Sequence, residues 1–482
     1  MTILSRCLVH WRLGAFLLGA AAGAQPPAIF HDGVSNAASS VTASLPFGGF
    51  APGTRVAVQG VRLDHPTLII ITAGASRKKA RTLKVEDKSA EFLLPGDLPA
   101  GPAELIVEAD GGPSRPFPVT IVGSAFGIRA VRRSGRTITL EGSGIGNGAG
   151  EIEVVIGGKP LRPSAIHSDK NGDERIDFRL PAQVAAGCHV PLYVRTKSHV
   201  SNFVDLADLP GCADEPWPIL APRKGGTGSL LLLRSTLDTA TRSWTADSTY
   251  GAVLGVGKAS LQVPLWFPLG TGQCRLEFSA TEGGNQDPLR MMRIDKPGMK
   301  TISAGPFLSL GVTHIPVESN GIYKSTLGGN SPLMRRPKPL FFESGKSYSI
   351  GATENKAGRF QVMVPFVDDL EFNAPEARTI DRMAPLRVRW RTLQPQVAIV
   401  MYSQNDSSAV QAICAARGSD GQFTIPADVL RSLPVTVSAT GSLTTGYVGV
   451  AALGRPTAVA APGLKQVVGS SVRLRLTEIE FR

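Results

Sequence analysis

The stretch AEFLLPGDLPAGPAELIVEADGGPSRPFPVTI, residues 90–121, returns in rough copy as IDFRLPAQVAAGCHVPLYVRTKSHVSNFVDL, residues 176–206. Phe92, Leu94, Pro95, Ala100 and Gly101 recur as Phe178, Leu180, Pro181, Ala186 and Gly187. A repeat of about 86 residues is too long for a solenoid unit and suits a small β-sandwich domain. The chain of 482 residues has room for roughly three such cores. Its 53 Gly and 36 Pro lie between short apolar runs, and no long amphipathic helical pattern follows the first two dozen residues. The expected fold class is all-β: tandem immunoglobulin-like β-sandwich domains following a signal peptide.

Residues 1–24 read as that signal peptide. Arg6, His10 and Arg12 precede an apolar run over 13–22, and Ala22-Gly23-Ala24 offers a small-x-small cleavage site. The expected destination is export: extracellular, cell surface or periplasm. No other segment approaches the uninterrupted apolar length of a membrane-spanning helix. Aromatic residues, 6% of the chain, are too few for the two girdles of an outer-membrane barrel. The formal charge is +12, and loss of Arg6 and Arg12 leaves about +10. An exported cation of this size suits polyanions, an acidic polysaccharide or a cell-envelope component, although dispersed charge also serves plain solubility. No nucleic-acid-specific motif is present.

Four cysteines follow the signal, and an even number in an exported chain points to disulfides. Cys188 and Cys212 flank one expected hairpin, where loop closure stabilises by about 3 kcal/mol on the chain-entropy model. Cys274 with Cys414 is the pair that remains. No C-x-x-C or H-x-x-x-H spacing accompanies them, which argues against zinc.

Alternating or apolar runs at 55–63, 67–72, 81–85, 90–94, 103–109 and 117–122 place a first sandwich at 31–122. Runs at 137–141, 152–156, 175–180, 190–195 and 201–206 place a second at 123–209. Residues 210–228, rich in Pro and Gly, read as a linker. Runs at 230–233, 273–278, 307–312 and 359–364 belong to an expected β-rich domain at 229–372. Runs at 386–392, 397–402, 422–426, 435–439 and 472–479 belong to a C-terminal β-sandwich at 373–482.

The segments GVSNAAS (33–39), FAPGTRVAVQGVRL (50–63), FLLPGDLPAGPAELIVEADG (92–111), ERIDFRLP (174–181) and GCHVPLYVRTKSHVSNFV (187–204) resemble a large family of exported acidobacterial proteins. That family's tandem module looks like the IPT/TIG type of immunoglobulin fold, and the resemblance covers about residues 30–214. PLGTGQCRLEF (268–278), GIYKSTLGG (321–329) and GQFTIPADVLRSLP (421–434) resemble stretches that often follow the module. In many members the module sits at the C-terminus, whereas here it directly follows the signal. The resemblance implies a fold and a compartment and supplies no catalytic residues.

Three patterns carry chemistry. In DKNGDERID (169–177), Asp169, Asn171, Asp173 and Asp177 occupy the first, third, fifth and ninth places of a calcium loop. Glu174 stands where that loop needs Gly and Leu180 where it needs a bidentate Glu, so a weak calcium site competes with a polar turn. The glycine-rich GSGIGNGAG (142–150) is followed by a strand rather than the helix a phosphate cradle needs, and reads as turn glycines. In the last domain Arg387, Arg389 and Arg391 alternate with Leu386, Val388 and Trp390, and Arg473 and Arg475 alternate with Val472, Leu474 and Leu476. Period-two strands would set these arginines on an outer face. Were the two strands neighbours, five guanidiniums would share one polyanion-binding surface; the competing reading is a solvated basic face that guards against edge aggregation.

No G-x-S-x-G or H-E-x-x-H is present, the histidines are scattered, and Asp368, Asp369 and Glu371 read as a polar turn. The expected function is therefore non-catalytic, in cell-surface adhesion or extracellular polysaccharide binding. Two alternatives stand beside it. One is a structural spacer or assembly component that self-associates without binding glycan; the other is a secreted carbohydrate-active or proteolytic enzyme with a site in 215–372.

Overall fold

The computed structural model describes residues 25–39, 41, 43, 48–63, 66–86, 88–180, 191–197, 199–205, 226–254, 271–280, 302–319, 321–330, 334–352, 358–405, 408–436 and 446–482. The expected signal peptide, most of the linker, and Cys188 and Cys212 lie outside the described residues. Nearly all regular structure is strand, and the domains are all-β sandwiches.

The repeat is structural as well as sequential. One sheet of the first sandwich orders its strands Ala28–Asn36, Arg55–Val61, Ser89–Leu93, Arg81–Glu86; its counterpart in the second runs Gly127–Ser134, Thr137–Ser143, Glu174–Arg179, Ala165–Ser168. The facing sheets match likewise. Ser76–Lys79, Pro66–Ala73, Gly101–Ala109 and Phe117–Ile121 correspond to Lys159–Leu161, Glu153–Ile156, Pro191–Arg195 and Val204–Asp205. Phe92 and Phe178 hold equivalent strands and are fully buried, each in the core between its two sheets. Small polar devices recur too: Val107 N donates to Ser114 Oγ, which donates to Arg115 O, and Val194 N, Ser201 Oγ and Asn202 O repeat the relay. The basic run Ser76-Arg77-Lys78-Lys79 is an edge strand, where positive charge deters pairing with another chain.

The two sandwiches are clamped together. The glycine-rich loop packs on the first sandwich so closely that a Cβ on Gly144 would fall 3.2 Å from Thr54 Oγ1, and one on Gly146 2.6 Å from the Ala51 Cβ. Both glycines have positive φ, a conformation that costs other residues. Asn36 Nδ2 donates to Ser143 O at 3.0 Å, and Arg55 N to Ser143 Oγ at 2.8 Å. The calcium-like loop is the other half of the clamp. Asp173 Oδ1 receives Arg55 of the first sandwich at 2.9 Å and Arg129 at 2.7 Å, while Arg81 donates to Lys170 O at 2.5 Å.

The C-terminal half departs from expectation. A single nine-stranded sheet runs Cys274–Ala280, Ser408–Arg417, Gln396–Gln404, Gly446–Leu453, Leu464–Glu478, Gly226–Asp238, Ser243–Leu254, Ile322–Gly329, with Thr457–Ala461 paired to Leu464–Glu478. The regions expected as separate at 229–372 and 373–482 thus share one sheet, and Gly226 to Gly228, expected as linker, lie in its first strand. The physical reason is the parallel ladder of Gly226–Asp238 with Leu464–Glu478, which joins strands far apart in sequence. Leu230, Leu231, Leu232 and Leu233 are all fully buried: Leu230 and Leu232 enter a core on one face of the sheet, and Leu231 and Leu233 a core on the other face built from side chains of the nine-stranded sheet itself. Two smaller sheets cover the face that carries Leu230 and Leu232. Phe307–Leu310, Thr313–Pro316, Ser347–Ala352 and Phe360–Pro365 share a core with Leu230 and Leu232; Glu371–Asn373, Leu386–Arg391 and Gln422–Ile425 share one with Ile399 and Val410. Cys274 and Cys414 are cross-strand partners with Cα atoms 3.9 Å apart and form the expected disulfide.

Arg473 is therefore not on an outer face. It lies directly beside Arg234 across the parallel ladder, a like-charge juxtaposition that two acids resolve. Arg234 forks onto Asp247 at 2.8 and 2.9 Å and also pairs with Asp368; Arg473 reaches Asp368 Oδ1 at 2.7 Å. Asp247, wholly buried, accepts the backbone N–H of Phe341 at 2.7 Å and Phe342 at 2.8 Å. Burial first, then the neighbouring Arg475 and Arg234, lowers the Arg473 pKa, partly offset by Asp368 and Asp247. Arg475 pairs with Asp238 at 3.5 Å.

Asp368→Asn leaves two buried guanidiniums on one carboxylate and should cost roughly 2–4 kcal/mol. The double change Asp368→Leu with Arg473→Met should cost much less; denaturant unfolding followed by a fluorescence probe of the C-terminal half compares them. At the clamp, Gly172→Val places a Cβ 2.4 Å from Leu93 Cδ1 at a position with positive φ. It should loosen the junction without unfolding either sandwich, seen as a broadened distance distribution between spin labels on the two sandwiches. Burial opposes charge on Asp173, yet the hydrogen bond from Arg129 and the charge of Arg55 hold its carboxyl below the ordinary value. Its contribution is therefore present above the usual carboxylate range, and the same distribution should broaden as the pH falls below that range.

Candidate functional site

The best exposed candidate is the outer face of the three-stranded sheet. Along Leu386–Arg391, Val388 and Trp390 turn into the core, the Trp390 Nε1 donating to Gly418 O at 3.0 Å. Arg387, Arg389 and Arg391 consequently point outward and are exposed. Register sets Glu371 opposite Arg391, Asn373 and Gln422 on either side of Arg389, and Thr424 opposite Arg387. The face is thus a row of three guanidiniums edged by amide, hydroxyl and carboxylate groups. None of the three arginines has an ion-pair or hydrogen-bond partner among the described residues. Alternate residues of a strand lie about 6.6–6.8 Å apart, so the row spans roughly 13 Å.

The five arginines expected on one surface are split. Arg473 and Arg475 belong to the nine-stranded sheet and are committed to Asp368 and Asp238. Alternation gave the correct facing of every one of these side chains relative to its apolar neighbours; what it could not give was whether the polar face met water or another layer. Asp369 is likewise structural, its carboxylate holding Leu393 N at 2.6 Å and the Gln394 side chain at 2.9 Å.

The calcium-loop residues do not converge. Asp169 Oδ1 accepts the backbone N–H of Asn171 and Asp173, Asn171 Oδ1 accepts from Arg81, Asp173 takes two arginines, and Asp177 accepts from Thr139 Oγ1 at 2.6 Å. Among the described residues no group of three or more His, Cys, Asp or Glu side chains is gathered as metal ligands would be. Glu174, whose Oε2 receives the N–H of Gly144 and Ile145 at 2.5 and 2.6 Å, ties the two loops of the clamp together; burial raises its pKa against the pull of those N–H groups.

Two concavities lie elsewhere on the described residues. A groove of about 1050 Å3 runs along the first sandwich between Ile29 and Phe117. Pro26, Pro27, Pro116 and Pro118 stand along it and remove the backbone donors that an added strand would use. The second, of about 780 Å3, opens between the second sandwich and the C-terminal half. Its wall includes Arg195 at the end of Pro191–Arg195 and, from the short helix Ala427–Arg431, Asp428 and Arg431. Arg195 pairs with Glu153 at 2.8 Å and with Asp428 at 2.6 Å, and the Tyr193 hydroxyl lies 3.4 Å from the same carboxylate. Burial, then Asp428, raises the Tyr193 pKa, so the phenol stays protonated and serves as donor. Nothing in the sequence marked this cleft, because its walls come from segments more than 200 residues apart.

No family model and no curated protein matches the chain. Among solved structures, it is similar to SGBP-B of the Bacteroides ovatus mixed-linkage glucan utilization locus in complex with a mixed-linkage heptasaccharide, at 16% identity over 33% of this chain and 40% of that one, with a TM-score of 0.22. It is also similar to SGBP-B from a Bacteroides uniformis xyloglucan utilization locus, at 14% identity over 62% and 86% of the two chains, TM-score 0.18. A tandem pair of titin immunoglobulin domains is 12% identical over 33% and 88%, TM-score 0.14. The chain spans about two fifths of the length of the first of these. These likenesses accompany the β-sandwich architecture and carry no argument on function.

Proposed function

We propose that the chain is an exported, non-catalytic polysaccharide-binding protein of the cell surface, with a role in adhesion. In this reading its IPT/TIG-like sandwiches, of the exported acidobacterial type, form a rigid stem for a ligand-binding C-terminal half. The observation that carries the reading is the outward row of Arg387, Arg389 and Arg391, three unpaired guanidiniums among hydrogen-bonding side chains on an otherwise well-packed sheet. Guanidinium forks match carboxylate and sulfate groups bidentately, and neighbouring amides and hydroxyls match sugar hydroxyls. An extended acidic polysaccharide laid along the strand would meet all three charges.

The spacer alternative has its own support in the clamp between the first two sandwiches, which resists bending at that junction. It differs in predicting no ligand. Binding of residues 25–482 to polygalacturonate, chondroitin sulfate and neutral dextran, at low and moderate salt, separates the two. The polysaccharide reading expects salt-sensitive binding to the acidic polymers, weakened at least about tenfold by the joint change of Arg387, Arg389 and Arg391 to Ser. Equal binding by the triple variant would remove the arginine row as the binding surface, and no binding by the parent would leave the spacer reading in its place.

A further inference from the structure

The cleft between the second sandwich and the C-terminal half carries more positive charge than its own structure uses. Four cations line it, Arg162, Arg195, Lys197 and Arg431, against three acids, Glu151, Glu153 and Asp428. Each acid is already matched: Glu151 by Lys197 at 3.4 Å, Glu153 by Arg195, and Asp428 by Arg195 and Arg431. Arg162 is exposed at the rim and has no partner among the described residues. Arg431 is under-satisfied in a different way. Its contacts to Asp428 and to Lys197 O both stretch to 3.5 Å, and its Nε is buried without a hydrogen-bond partner. Two guanidiniums with spare donors thus face one polar concavity, whose volume of about 780 Å3 falls within the usual range for small-ligand sites at domain junctions.

We infer that this cleft binds a carboxylate-bearing sugar unit, the acid group taken by Arg162 and Arg431 and the hydroxyls by the surrounding polar wall. The inference rests on the polysaccharide reading above and deepens it: the cleft would receive an end or branch of the polymer that the flat arginine row holds lengthwise. An anion fits better than a neutral sugar because the described residues lining the cleft include no aromatic side chain on which a sugar ring could stack, while charge-assisted hydrogen bonds from arginine are strong and directional. Uncharged sugars would have to displace water from guanidiniums that prefer an anion.

The test is calorimetric titration of residues 25–482 with tri-galacturonate and with its methyl ester, which keeps the hydroxyls and removes the charge. The acid should bind at least about tenfold more tightly than the ester, and Arg162→Gln should abolish that preference. Arg162 is exposed and has no side-chain hydrogen bond or ion pair among the described residues, so this variant should unfold like the parent; Arg431→Gln, which lies in the helix, is the second variant. The change of Arg387, Arg389 and Arg391 to Ser should leave the trimer titration unaltered. Equal affinity for acid and ester, full binding by both cleft variants, or no binding of the trimer would each overturn the inference. Loss of polymer binding in the triple variant with an unchanged trimer titration would still support the arginine row, and trimer binding without polymer binding would sink the row while sparing the cleft.

Discussion

The parallel ladder between Gly226–Asp238 and Leu464–Glu478 is the contact on which the C-terminal half depends. It is the central seam of the nine-stranded sheet, and it sets both the strand order and the burial of the four-leucine run. Such a contact carries a large loop-closure cost before any of its pairings can compensate, so the sheet must be held by other non-local links. The Cys274–Cys414 bridge is one, closing 140 residues of chain and stabilising by about 5 kcal/mol on the chain-entropy model. The ladder also creates a problem of its own by setting Arg234 against Arg473. Asp247 and Asp368 solve it, and because Asp247 also fixes the backbone of Phe341 and Phe342, the solution anchors the segment that leads to the covering sheet.

A similar economy holds at the junction of the first two sandwiches. Glycines at 144, 146 and 172 allow backbone contact closer than any side chain would permit, and charged groups on the two loops then lock the approach. Glu174 binds one loop while its neighbour Asp173 binds the other sandwich, so two adjacent carboxylates serve perpendicular tasks. A loop with carboxylates in calcium-like spacing thus also serves as a clamp between two sandwiches, with arginines pairing to one of its carboxylates.

What the sequence made legible follows from which forces are local. Alternation and turn residues placed the strands at 55–61, 137–143, 386–391 and 396–404 within a residue or two of their observed ends, because side-chain period and chain reversal are properties of a few neighbouring residues. The joining of the regions on either side of residue 372 into one sheet was not recoverable, since a parallel pairing more than 200 residues apart leaves no short-range mark. The arginine row could be read as far as facing, with Val388 and Trp390 inward, whereas the fate of Arg473 turned on an acid, Asp368, from a distant turn. The cleft was invisible for the same reason: Arg431 meets Arg162 and Arg195 only through docking of the C-terminal half on the second sandwich.

One short segment links the two surfaces proposed to bind ligand. Gln422–Ile425 contributes Gln422 and Thr424 to the edge of the arginine row, and after Pro426 the chain turns into Ala427–Arg431, which contributes Asp428 and Arg431 to the cleft. Proline suits this place, because it fixes the backbone for entry into a helix and cannot extend the strand. A flat row grips a polymer anywhere along its length and so confers little discrimination, while a concave site discriminates by shape but captures only one unit. Joined through ten residues of chain, numbered 422–431, the two would act on one polymer as linked sites, the second contact forming at a high effective concentration once the first is made. Weak charge-based contacts at each surface would then suffice for firm retention of a polysaccharide, and short fragments would be released.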